Sequence, residues 1–504
     1  SEIIFNQDVF SKIPKKIMNP FKFKTPFKAI YSILIVTLSI TTGCNRIDHV
    51  DNNNKKKLTQ QSVPNLWVTK LDKSALLQQQ KIPNPPLINP DETISINTSQ
   101  TFQEMDGFGF ALTEGSAMLI NTMSPDARDN LLNELFGQKE DQIGISYLRI
   151  GIGASDMIEE LYSYDDLPTG ETDLELKKFS LSRDTLHLIP IIKKILVIAP
   201  DMKFVATPWS APTWMKDSKD TQGGSLIKKY STTYANYFVK YIKAMAAEGI
   251  NITTMTVQNE SLWDGNNPSM LMLAKDQAEF VKNYLGPAFQ KNNIKTKILI
   301  YDHNPDRIDY PLSILKQPDV AKFVDGTAFH LYGGEISALS KVHNAHPEKN
   351  IYFTEQWTGY PTDFSDDMTW HIKNVIVGAT QNWSKNVLLW NLAADENQGP
   401  HTDRGGCDDC LGAITIKGDE IQRNVGYYII GHASKFVKAG AKRIASSRSE
   451  SNVNTAFLNP NGEVVLIIQN TSNTPKKFKI EAMDNEIIVP LSSGSVGTVV
   501  FNNQ

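Results

Sequence analysis

Between residues 107 and 391, short apolar, β-rich runs alternate with longer amphipathic stretches. The runs cover 107–112, 146–150, 203–207, 253–258, 297–301, 326–330, 350–354 and 386–390. Helical periodicity marks the intervening stretches 124–135, 186–195, 231–248 and 270–290. Ser124-Pro125 is a helix start, with Ser as cap and Pro in the first turn. Eight β-then-α units predict an α/β fold, a (β/α)8 TIM barrel. The alternative is an open doubly wound sheet. No G-x-G-x-x-G turn follows the first run, which disfavours a dinucleotide-binding version of it.

From about residue 424 the pattern changes to short alternating runs at 456–458, 464–469, 478–482, 487–490 and 498–501. Polar turns at 459–462 and 471–475 separate them, as in a small antiparallel β domain. Strand-like pieces at 66–70 and 93–97 precede the barrel and are expected to join that domain, making a β-sandwich from both chain ends. The proline-rich stretch 83–90 reads as a turn-rich connection. The expected organisation is 1–44 export segment, 45–61 flexible tether, 62–105 strands joining the sandwich, 106–423 barrel and 424–504 sandwich.

The export segment rests on Lys22, Lys24 and Lys28, an apolar run at 29–40, and then Thr41, Thr42, Gly43 and Cys44. The run is shorter than the roughly 20 residues a membrane-spanning helix needs. A small residue followed by Cys resembles a bacterial lipobox, with Cys44 as the lipidation site. A plain signal peptide or an uncleaved anchor is the alternative. Residues 1–17 precede Met18 and are set aside with the rest of 1–44. The expected location is outside the cytoplasm, as a membrane-anchored lipoprotein in the periplasm or at the cell surface. Cys407 and Cys410 are then the remaining thiols, and a short-range disulfide is expected of an exported protein. Free thiols are the alternative, and a redox pair or half a zinc site is also compatible with C-x-x-C, although no second cysteine pair exists.

With 40% apolar and 21% charged residues in 504, chain-wide disorder is excluded. A net charge of −4 argues against a general nucleic-acid footprint.

Catalytic groups of such barrels sit at the C-terminal strand ends. The fourth run ends in Asn259-Glu260 and the seventh in Thr354-Glu355, so two carboxylates would face one another across the mouth. Glycoside hydrolysis needs such a pair: one protonated to release the leaving group, one ionised to attack the sugar carbon. Like charge and unlike surroundings push their pKa values apart.

Further motifs run in a recognisable order: Asp106-Gly-Phe-Gly-Phe-Ala-Leu-Thr-Glu114, Tyr147-Leu-Arg149 through Asp156, Ala206-Thr-Pro-Trp209 through Trp214-Met-Lys216, Val257-Gln-Asn259-Glu260, Asp325 through His330-Leu-Tyr332, Thr354-Glu355 and Trp390-Asn391-Leu-Ala. Together they resemble glycoside hydrolase family 30, the family of acid glucosylceramidase and microbial β-1,6-glucanases. The resemblance covers roughly residues 65–504 and implies a retaining mechanism without cofactor. It implies Glu260 as acid/base, Glu355 as nucleophile, and Asn259 as the partner of the sugar 2-OH. Asp156, Trp209, Trp390, His330 and Tyr332 fall at substrate-binding positions. Arg149 is expected to hold a carboxylate, and Glu114 to support the site from behind. Read without the family, Arg149 is a structural ion pair, His330 a satisfied interior histidine and Trp214 core; Trp263 and Trp357 are core or rim.

No metal or nucleotide signature is present. The loop 395–410 departs from the glucosylceramidase pattern, which moves the expected substrate toward β-glucan or another β-glucoside, with β-1,6-glucan leading. Glucosylceramide, a xylanase-type activity on glucuronoxylan, and a non-catalytic surface glycan-binding lipoprotein are the competing readings.

Overall fold

The computed structural model describes residues 64–83, 88–483 and 485–502. The export segment with Cys44, the tether and the middle of the proline-rich connection lie outside these residues.

Each of the eight runs forms a strand of one closed parallel barrel. The strands are β1 (Gly107–Ala111), β2 (Tyr147–Gly151), β3 (Lys203–Thr207), β4 (Thr254–Thr256), β5 (Lys297–His303), β6 (Val324–Phe329), β7 (Asn350–Phe353) and β8 (Ser384–Asn391). Side chains alternate across each strand. In β2, Tyr147 joins Val205, Leu299, Ala328, Tyr352 and Leu388 in the barrel interior. Leu148 and Ile150 face outward into the layer shared with the helices. Arg149, two residues beyond Tyr147, therefore points inward one level higher, toward the mouth.

The helices follow the expected periodicity with local departures. Pro125–Phe136 starts at the expected proline, but Ser124 makes no side-chain cap bond. The stretch expected as one helix at 270–290 is Ala274–Phe280 and Gly286–Lys291 joined by a π-helical turn, Val281–Leu285. Pro287 lacks the N–H that a regular helix would use there, and its ring crowds the carbonyl four residues back. Among the described residues no helix is long and apolar enough to cross a membrane.

The second domain is a nine-stranded sheet to which both chain ends contribute. Asn65–Thr69 pairs antiparallel with Val496–Asn502, placing Leu66 opposite Val499. Glu92–Glu104 pairs parallel with Lys476–Ala482. The sheet curls over so that Leu66, Ile94, Ile480 and Val499 share one core. Its other face is continuous with the barrel core through Phe457, Val465, Ile467 and Val496.

The boundary expected at 423/424 shifts. Val425–Ser434 is a helix, and its Val425, Ile429, Ile430 and Ala433 are buried against the barrel. The sandwich therefore resumes beyond it, at Lys442–Ser446. An unanticipated three-stranded sheet, Ala393–Ala394, Ile414–Lys417 and Glu420–Arg423, fixes the long excursion after β8. Its hairpin turns at Gly418-Asp419, with Gly418 at φ 61°, a left-handed value that suits glycine.

The ring of Phe108 on β1 meets that of Phe457 edge-on, 6.2 Å between centroids, across the two domains. Phe108→Ala should cost about 3–5 kcal/mol, read as a lower urea midpoint. A loss below about 1 kcal/mol would contradict the shared core.

Candidate active site

Arg149 is fully buried, and four segments of the barrel mouth supply partners for its donors. Nη1 donates to Glu355 at the end of β7. Nη2 donates to Asp302 on β5 at 2.9 Å and to the side-chain oxygen of Asn259 at 2.7 Å. Nε reaches Thr207 on β3 at 3.3 Å. The guanidinium carbon also lies 4.7 Å from the centre of the Trp209 ring.

Glu355 is held from both sides, because the Tyr332 hydroxyl donates to its other oxygen at 2.8 Å. Across the mouth, Glu260 Oε1 faces His330 Nδ1 at 3.2 Å, and the same nitrogen is 3.7 Å from Glu355 Oε1. Both carboxylates thus lie within reach of one nitrogen atom. The Asn266 amide donates to Glu260 Oε2 at 3.2 Å. Glu260 has φ 46°, and its N–H donates to the carbonyl of Asp302 at 2.9 Å. Tyr301 and Asp302 are also left-handed, at φ 75° and 57°, where the β5–β6 register shifts between Tyr301 and His303. Non-glycine residues adopt such angles at a cost of order 1–3 kcal/mol each. Here the cost accompanies the turns that aim Glu260 and Asp302 at the barrel axis.

A cleft of about 600 Å3 opens above the pair. Asp156, Trp209, Trp263, His303, Asp306, Tyr332, Trp357 and Trp390 line it together with residues 406–410. None of the lining side chains is Lys or Arg. Cys407 and Cys410 are disulfide-bonded, and Cys410 packs against Trp209 and Trp390. The backbone of Tyr360 donates to Asp409 at 2.8 Å and that of Leu411 to Thr358 at 2.9 Å. The bridged loop is thereby zipped to the segment that follows Glu355. Lys216 ties two other loops together, donating to Ser210, Thr221 and Ser269.

The electrostatics divide the buried acids. Burial alone would push Asp302 up. Arg149 first, then His330 and Thr354, hold it well below the ordinary carboxylate range. Asp156 has no such cation: burial, reinforced by Glu355, pushes its carboxyl up to about 8. Glu114, behind it, rises to about 7 through burial, although Ser155 donates to it through both N–H and hydroxyl. Burial disfavours protonated His330, yet Glu355, Asp302 and Glu260 around it lift its pKa to about 10.

Trp214 is core, donating to the Asp165 carbonyl and lying edge-on to Tyr230. Trp263 is half-exposed at the rim and Trp357 lines the cleft. Asp302, His303 and Asn266 were not anticipated from sequence. The Asp302-His303 pair directly after the fifth run was the available signal. Glu260, His303 and His330 bring donor atoms within 4.8 Å of one another.

Residues 105–437 match the family model for the glycosyl hydrolase family 30 TIM-barrel domain, and 440–499 that for the family 30 beta sandwich domain. The endo-1,6-beta-D-glucanase neg1 of Aspergillus fumigatus is 32% identical over 405 residues, covering 75% of this chain and 81% of its own. Lysosomal acid glucosylceramidase of Mus musculus is 28% identical over 447 residues, covering 82% and 84%. The solved structure of the endo-beta1,6-glucanase BT3312 superposes with a TM-score of 0.82 at 33% identity, covering 88% of this chain and 99% of that one.

Asp156 lines the cleft, and its Oδ1 has no partner among the described residues. With its pKa near 8 it is protonated below that pH and can donate to a sugar hydroxyl. Raising the pH through about 8 should remove this donor and add charge beside Glu355, so kcat/KM should fall there. Asp156→Asn cannot ionise and should lose that limb of the pH profile. A limb unchanged in the variant would show that another group titrates.

Proposed function

The chain belongs to glycosyl hydrolase family 30 and is a glycoside hydrolase; on that premise we propose that it cleaves β-1,6-linked glucan by double displacement, with Glu355 as nucleophile and Glu260 as acid/base. The observation that carries the mechanism is the convergence of Glu260 and Glu355 on one imidazole nitrogen. That spacing lets one carboxylate attack the anomeric carbon while the other serves the oxygen leaving it.

Glu355 is aimed by Arg149 on one oxygen and Tyr332 on the other, so little reorganisation separates the resting carboxylate from the attacking one. Arg149 occupies the oxygen of Asn259, which turns the amide NH2 outward toward the sugar 2-OH. Trp209 and Trp390 offer ring surface beneath the pyranose, and Asp156 a donor to its hydroxyls. Glu260 protonates the departing oxygen, then takes the proton from the water that opens the glycosyl-enzyme.

The printed names of the relatives at 32% and 33% identity support β-1,6-glucan as substrate. So does the cleft lining, which lacks a cation for a glucuronate branch and thus disfavours glucuronoxylan. Asp408 and Asp409 of the disulfide loop set two carboxylates at the cleft, which suit a hydroxyl-rich glucan better than a ceramide tail. In parallel assays, kcat/KM on β-1,6-glucan oligomers should exceed that on glucosylceramide and glucuronoxylan by at least about 100-fold, a transition-state difference near 2.8 kcal/mol. Glu355→Ala should abolish all turnover. A preference for the lipid would move the substrate to the glucosylceramidase side.

We also infer export and lipid anchoring at Cys44, on the basic, apolar and small-residue order of 22–44. Metabolic labelling with palmitate should mark the full chain and not Cys44→Ala. Equal labelling of both would overturn the anchor.

A further inference from the structure

Glu260 does not titrate alone. Its Oε1 faces His330 Nδ1 at 3.2 Å, and the other ring nitrogen, Nε2, faces Asp302 Oδ1 at 3.1 Å. Asp302 also accepts from Arg149 at 2.9 Å, Thr256 at 2.8 Å and Thr354 at 2.6 Å. A carboxylate so surrounded is an acceptor only, so Nε2 must carry a hydrogen. One proton remains to be placed between Nδ1 and Oε1. On oxygen it makes a carboxylic acid donating to neutral imidazole; on nitrogen it makes an imidazolium donating to a carboxylate. A contact with neither would set a lone pair against a carboxylate.

We propose that this proton rests on His330 Nδ1 in the free enzyme, and that the Glu260–His330 couple is the general acid and base of both half-reactions. The charges facing the ring favour that placement. Asp302, Glu260 and Glu355 surround it, the last at 3.7 Å. His303 and Tyr332 meet it edge-on at 6.4 and 6.0 Å between centroids, and His303 Nδ1 lies farther from Glu260 Oε1, at 3.6 Å, than His330 Nδ1 does. The nearby cation, Arg149, is committed to Asp302 and Glu355. The raised pKa of His330 agrees with this arrangement. Such a couple titrates as a unit.

The cycle balances. Glu355 attacks the anomeric carbon, and the glycosidic C–O bond breaks with its electron pair going to the leaving oxygen. The proton passes from Nδ1 to the Glu260 carboxyl and on to that oxygen. The glycosyl-enzyme then holds Glu355 as a neutral ester, Glu260 as a carboxylate and His330 as a neutral ring. Losing the Glu355 charge removes one of the three negative charges that favoured the imidazolium, and a carboxylate facing a lone pair is a stronger base. Water attacks the anomeric carbon, the bond to Glu355 breaks and returns its electron pair, and the water proton returns through Glu260 to Nδ1. The charge of the ring thus follows the charge of the nucleophile.

The proposal rests on double displacement through Glu355. The test is nitrogen NMR on uniformly 15N-histidine-labelled protein, with the His330 ring assigned through its contact to Tyr332. Spectra are recorded at pH 7 before and after trapping with an activated 2-fluoro glycoside of β-1,6-linked glucobiose. An imidazolium in the free enzyme and a neutral Nε2–H ring in the trapped one are expected. No trapping would overturn double displacement, and the proposal with it. Trapping without a change at Nδ1 would overturn the proposal alone.

His330→Gln supplies an independent readout, since an amide can hydrogen-bond but cannot hold the proton. Its kcat/KM should fall at least about tenfold more on an unactivated glycoside than on a dinitrophenyl glycoside, which needs no acid. A parallel fall on both would make the ring a scaffold and overturn the proposal.

Discussion

The structure depends on one buried guanidinium. Arg149 lies at the centre of the barrel mouth without solvent contact, where an unpaired charge would be costly. Its donors are distributed over Thr207, Asn259, Asp302 and Glu355, at or beyond the ends of β3, β4, β5 and β7. This single cation fixes where the other charges can be. Of the acids it touches, Asp302 is held far down. Asp156 and Glu114, which it does not reach, are pushed up by burial, whereas at Glu260 the neighbouring His303 and His330 outweigh burial and hold the carboxyl down. Unlike acids in one small volume are what an acid-and-nucleophile chemistry requires.

The remaining architecture keeps that arrangement open on one side only. The left-handed turns at Glu260, Tyr301 and Asp302 bring polar groups inward where the strands end. They persist because the backbone bond between Glu260 and Asp302 and the side chains of Arg149, Thr256 and Thr354 over-determine them. The small sheet after β8 and the Cys407–Cys410 bridge then hold a loop that would otherwise be long and unsupported against Trp209 and Trp390.

Much of this was legible in the sequence, for a physical reason. Barrel strands are buried on both faces, so each stands out as an apolar run, and all eight runs are strands. Glu260 and Glu355 were found because they end such runs. Asp302 and His303 were not, because the apolar run stops at residue 301 while the strand continues through the register shift to His303. The helix Val425–Ser434 is not legible apart from the sandwich, because its β-branched and aromatic residues carry no helical preference of their own; contact with the barrel decides its state. Two-residue strands such as Ala393–Ala394 have no periodicity to detect. The three interior contacts that set the charge of His330 come from strands distant in sequence, and no local pattern announces them.

The account centres on a covalent intermediate at Glu355, and retention of configuration is its direct consequence. Proton NMR of the first products released from β-1,6-linked glucan, before mutarotation, measures it. The account predicts the β-anomer at the new reducing end first, with the α-anomer growing in later. The α-anomer appearing first would mean direct displacement by water and would contradict the assigned nucleophile.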